Sequence, residues 1–293
     1  MSSAIQWRRF AISSFVTALI VLVLYGLVQT LAPASLHAGY PGRPVDEVKS
    51  LYGFLGAVSI LQLMGFCLLY LWIYPQRSLR TAVRWGIWGG FFMVLPDTHF
   101  FVDTPNMSWG LLIWQMITGM LAGTAATILF RVLYRPQDES RTPARVVEAR
   151  FFVTGAVTAA ILFAVDLLFH TVIAPKWFGP YPAPDFPERP PEEMQSLMAW
   201  LFFTYIVHGL YFFYTYLRAC PERGTARAVK YGLWLGLWVL IPNMQFFVGL
   251  DKYTWNMLTV QVVGGVLLIT LAIVFFELVY RPMPSAVADA HAR

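Results

Sequence analysis

Residues 94–102 read VLPDTHFFV, and residues 240–248 read LIPNMQFFV. In both copies a tryptophan follows, Trp109 and Trp255, and the prolines Pro96 and Pro242 stand 146 residues apart, as do the two tryptophans. Each copy ends an apolar stretch with a proline followed by polar side chains. Extended outward at the same spacing, the match runs without a gap from PGRPVDEVKSL (41–51) against PERPPEEMQSL (187–197) to LYRP (133–136) against VYRP (279–282). About thirty of these paired positions are identical, so the chain reads as an internal duplication. The first helices align best at a spacing of 142. The difference is an insertion within WFGPYPAPDFPERPP (177–191), in an outer loop of the second half.

Composition places the object in lipid. Of 293 residues, 58% are hydrophobic, 16% aromatic and only 13% charged, which is more apolar surface than a soluble core of this length can hide. Eight apolar stretches are each long enough to cross about 30 Å of hydrocarbon as a helix. They lie near 10–32, 51–74, 84–102, 109–133, 151–174, 196–217, 229–249 and 255–280. The first begins after Trp7-Arg8-Arg9 and lacks a small-x-small cleavage site, so it reads as a span and not a signal peptide. Of the 21 Lys and Arg, sixteen fall on one side of this arrangement and Arg43, Lys49, Lys176, Arg189 and Lys252 on the other. The asymmetry predicts that both termini are cytoplasmic, as in a multi-pass protein of a bacterial inner membrane. The basic residues follow topology, so no nucleic-acid partner is expected, and Cys67 and Cys220 form no disulfide or ligand pattern.

The predicted fold is therefore an all-α integral membrane protein. Eight transmembrane helices form two parallel four-helix repeats, related by a pseudo-two-fold axis along the membrane normal. The expected boundaries are 1–137 for the first repeat, 138–149 for a cytoplasmic linker, 150–283 for the second repeat and 284–293 for a tail. GIWGG (86–90) and GLWLG (232–236) present small residues on one face, for close helix contact. Asp46, Glu47, Glu192 and Glu193 follow Pro44 and Pro190, where negative charge suits a helix N-terminus. Gln115 and Gln261 are expected to cross-link helices, and Trp7, Trp72, Trp177, Tyr253 and Tyr280 to form interfacial belts.

The ionisable and amide groups inside the spans are the candidates for function. Asp97 and His99 follow the first proline, and Asn243 and Gln245 take their places after the second. Asp166 and His170, one turn apart, replace Leu24 and Val28, while His208 replaces Gln62. The first half thus keeps its acid and imidazole on its third helix, the second half on its first two, as if two equivalent sites had diverged into one. That composite pocket comprises Asp97, His99, Asp166, His170, His208, Asn243 and Gln245. At 1.5 Å per residue, His208 comes out about 15 Å from the cytoplasmic surface, Asp97 and His99 about 20 Å, Asp166 about 24 Å and His170 about 30 Å. The height difference disfavours bis-histidine haem. Asp166, His170, Asp97 and His99 have ligand types suited to a transition metal, but the motif is short and no cofactor is firmly implied.

The repeat unit, with GIWGG, LPDTHFFV and LYRP, resembles small four-span bacterial membrane proteins classed as domains of unknown function. The resemblance covers each half in architecture, implies no activity and carries over no site residues. No P-loop, dinucleotide fingerprint, Ser-nucleophile motif or HExxH is present, so a non-catalytic role is expected over an enzyme. Three functions fit these features: a protein that moves or binds a small polar solute or ion, an accessory subunit of a larger membrane complex or homo-oligomer, and a metal-binding oxidoreductase component.

Overall fold

A computed structural model describes residues 5–74, 78–135 and 149–280, apart from the side chains of Pro242 and Asn243. The predicted linker and C-terminal tail fall outside these residues, except for Ala149. Among the described residues the fold is entirely helical. The elements are α1 (Trp7–Gln29), α2 (Val45–Ser50), α3 (Tyr52–Ile73), α4 (Leu79–Val94), α5 (Asp97–Asp103), α6 (Trp109–Tyr134), α7 (Ala149–Leu168), α8 (Ala174–Phe178), α9 (Pro191–Ala219), α10 (Thr225–Val239), α11 (Ile241–Gly249) and α12 (Trp255–Val279).

Seven helical runs are long and apolar enough to cross a membrane, and this is a multi-pass membrane protein. Large apolar side chains crowd the outside of the helices, with Val23, Leu27, Leu121, Leu271 and Leu278 each more than half exposed. The seven runs include 225–249, in which α10 and α11 are joined almost without interruption. The stretch predicted as the third span, 84–102, is not one continuous helix. Leu95 and Pro96 divide it into α4, of 16 residues, and α5, of 7, neither of which is a span by itself. Pro96 has no N–H to give to the Phe92 carbonyl one turn back, which is the physical reason for the break.

Contacts between elements recur at the spacing of 146. Ser108 Oγ accepts the Leu111 N–H at 3.1 Å to cap α6, and Thr254 Oγ1 accepts the Met257 N–H at 3.2 Å to cap α12. α4 lies along α6 and α10 along α12, each pair at backbone contact through glycine. A Cβ built on Gly86 would lie 2.4 Å from Thr124 Cα, and one on Gly232 would lie 2.7 Å from Thr270 Cα. The glycine face read from GIWGG and GLWLG is therefore a helix-packing face.

The two short helices cross over between the halves. α5 packs on α9 and α11 packs on α3, and Phe100 and Phe246 stack face to face where they meet, ring centroids 3.8 Å apart. Each short helix ends against an arginine from the other half. Arg189 donates from Nη2 to the carbonyls of Phe101 (3.0 Å), Thr104 (2.9 Å) and Met107 (3.3 Å), and from Nε to Val102 (3.1 Å). Arg43 Nη2 donates to the carbonyls of Phe247 and Tyr253, both at 2.9 Å. The guanidinium groups also lie over the Phe101 and Phe247 rings, and their backbone N–H groups bond the Asp103 and Gly249 carbonyls at 2.9 Å. The last carbonyls of a helix lack partners within it and carry partial negative charge, so a cation there satisfies both needs.

Around these ends forms an outer core of Phe100, Phe101, Met107, Phe186, Phe246 and Phe247. Tyr253 belongs to it at 3% exposure, and is a core residue where an interfacial one was expected.

Two measurements check this architecture. Replacing Gly86 by Leu is expected to abolish the monodisperse peak in size-exclusion chromatography, whereas Gly26→Ala, which meets nothing within 4 Å, leaves it unchanged. Arg189→Met strips donors from four carbonyls and is expected to cost on the order of 3 kcal/mol, read as a lower Tm in detergent. Arg189→Lys recovers little of it, because one ammonium cannot span the fan of acceptors. An unchanged Tm in Arg189→Met would show that the crossed helices do not depend on this contact.

Candidate functional site

The site begins with a defect in one helix. After Leu168, α7 widens into a π-turn over Phe169–Ile173, in which the Ala174 N–H reaches the Phe169 carbonyl five residues back. Pro175 lies just beyond and offers no N–H to the Thr171 carbonyl, so a regular α-helical ladder cannot run through this point. His170 sits in the widened turn and Asp166 one turn before it. Beside this segment, α9 supplies Tyr205 and His208, three residues apart and so on one face. α5, held across by Arg189, supplies His99.

These elements and α12 enclose a cavity of about 510 Å³. It runs from Tyr181 and Glu188, in the loop between α8 and α9, down to Phe213 and Ala272. Asp166 is its polar centre. Its Oδ1 lies 3.3 Å from His170 Nδ1, which is also 3.1 Å from the Asp166 carbonyl, and its Oδ2 accepts the Tyr205 hydroxyl. The His99 ring lies against Tyr205, with centroids 4.6 Å apart. His208 is 6% exposed, its ring stacked on Phe212 with centroids 5.2 Å apart. The Nε2 atoms of both His170 and His208 are buried without a hydrogen-bond partner.

At the outer end, Gln261 donates to the Tyr181 hydroxyl. Burial, and then the Asp103 carboxylate, push that phenol well above its ordinary value, so it stays protonated as a donor. The predicted helix cross-link by Gln261 is therefore a bond to an outer loop. Gln115, at the matching position on α6, has a buried carbonyl oxygen without a partner.

Of the residues proposed from sequence, His99, Asp166, His170 and His208 line the one cavity. Asp97 does not. It lies two residues before His99 and so on the other side of α5, within electrostatic range of Tyr25 and Tyr40. Gln245 lies elsewhere as well, donating to Gln62 Oε1 at 3.0 Å and to Ser59 Oγ at 3.3 Å. The Asn243 side chain is outside the described residues. Among those residues no three of His, Cys, Asp and Glu gather at metal-ligand spacing. Asp166 and His170 stand as a pair, which does not suit a transition metal on its own.

Tyr205, Tyr181, Asp103 and Glu188 are site residues that sequence reasoning missed. A usable signal existed for Tyr205, which shares a helical face with His208. None existed for Tyr181, which arrives from the inserted loop. No protein-family model matches the chain, and neither does any curated protein or solved structure.

Proposed function

We propose that this chain crosses the membrane eight times, as two four-helix units in the same orientation, and binds a small solute in the cavity between α5, α7, α9 and α12. The α4–α5 stretch is the eighth span, kinked at Pro96 and matched in position by α10–α11. The two units are related by a pseudo-two-fold axis along the membrane normal, a reading supported by cap, glycine and arginine contacts that recur at the spacing of 146. Both termini face the cytoplasm, on the sixteen-to-five division of Lys and Arg.

The observation that carries the binding reading is the polar end of the cavity. Asp166, His170 and Tyr205, in mutual contact, line that end together with His99 and His208, a small set of convergent polar groups in an otherwise apolar pocket, as ligand sites have. Deeper in, Leu162, Phe213, Leu268 and Ala272 give apolar walls, so the solute carries a polar head and an apolar body. Binding of this kind is the first step of moving a solute, and the proline-broken α4–α5 stretch beside it is the element whose geometry could change.

Native mass spectrometry tests the site. The wild-type protein is expected to release from detergent with a small-molecule adduct. Leu162→Trp, which fills the cavity, loses it, and Gln245→Leu, at the separate amide cluster, keeps it. Identical spectra for Leu162→Trp and wild type would remove the reading. Orientation has its own test: a reporter active only in the cytoplasm gives signal when fused near Glu139 or at the C-terminus and none near Pro182. Signal at Pro182 would overturn the eight-span topology.

A further inference from the structure

We infer that the solute taken by this cavity is an amphiphile with a protonated amine head, an inference that rests on the reading of the cavity as a binding site. Asp166, His170, Asp103 and Glu188 set the hydrogen-bonding capacity of the cavity's polar end. His170 Nδ1 faces two acceptors, Asp166 Oδ1 and the Asp166 carbonyl, and therefore carries its proton there. The Asp166 carboxylate beside it accepts the Tyr205 hydroxyl on one oxygen and keeps lone pairs on both. Asp103 and Glu188 add two further carboxylates at the mouth.

Three carboxylates, Asp166, Asp103 and Glu188, line this end, and the imidazole paired with one of them is His170. Arg189, adjacent in sequence to Glu188, gives its donors to four carbonyls and to Glu193. The Gln261 amide donates to the Tyr181 hydroxyl and is thereby occupied. Acceptors and negative charge thus outnumber donors, and a carboxylate buried among apolar walls calls for a cation beside it. An ammonium head has N–H donors and no lone pair, and so fits a set of carboxylate acceptors. The faces of Tyr205, Phe163 and Phe212 add aromatic surface suited to a cation. A carboxylate head would bring a fourth anion to the same end.

The test uses the full chain in phosphatidylcholine nanodiscs and three probes with one tail, octylamine, octanol and octanoate, titrated against intrinsic tryptophan fluorescence. Octylamine is expected to bind saturably and at least about tenfold more tightly than octanol, with octanoate weakest. In Asp166→Asn, close in size to wild type and checked for an unchanged size-exclusion profile, octylamine loses that preference while octanol binding holds. Octanoate binding as tightly as octylamine, or an amine preference that survives Asp166→Asn, would overturn the inference. If octanol or octanoate binds wild type at least as tightly as octylamine, and that binding is lost in Leu162→Trp, the cavity reading stands and the amine head falls. If no probe binds saturably, both fall.

Discussion

The arrangement rests on two guanidinium groups that close helices they do not belong to. α5 and α11, of 7 and 9 residues, are shorter than helices that hold together alone in water. Their C-terminal carbonyls would be left facing an apolar outer core. Arg189 and Arg43 satisfy those carbonyls from the opposite half, and with the Phe100–Phe246 stack they lock the short helices across one another. The consequence for the site is positional. α5 is held against α9, where Thr98 and Thr204 share a hydrogen bond at 3.3 Å, and so His99 arrives beside Tyr205 and His208.

The same crossing puts Gln245 beside Ser59 and Gln62, the positions that match His99, Tyr205 and His208 at the spacing of 146. Matched positions have thus taken opposite chemical courses. On one side amide and hydroxyl groups satisfy one another in a closed cluster. On the other, two imidazoles and a phenol border open space. The difference begins at α7, where the π-turn before Pro175 widens the helix at His170, whereas α1 ends at Gln29 before reaching the corresponding proline, Pro33.

Much of this was legible in the sequence, and the part that was not has physical reasons. Apolar runs give spans because lipid demands internal hydrogen bonding, and proline gives the break because a missing N–H cannot be hidden. Four of the seven proposed site residues line the cavity, since a spacing of four on α7 fixes Asp166 and His170 to one face. Asp97 and His99 share a proline-following segment and a depth, but neither fixes azimuth: one intervening residue turns a side chain through more than half a circle. Arg43 and Arg189 were read as the minority charges of the outer loops. Their task depends on which carbonyls lie opposite, a property of tertiary structure. A hint was present in the RP pair kept in both copies of the outer segment.

The reciprocal arginine contact also bears on how such a chain could arise. On the proposed two-unit arrangement, the contact is isologous in form, with the same patch on each unit gripping the same patch on the other, as in a two-fold homodimer. A free four-helix unit would therefore leave its own short helix uncapped until a second copy arrived. Symmetry in such a dimer obliges both pockets to carry identical side chains, since one gene writes both. Joining the copies end to end lifts that obligation while preserving the mutual grip, and it lets one pocket fill itself in while the other stays open.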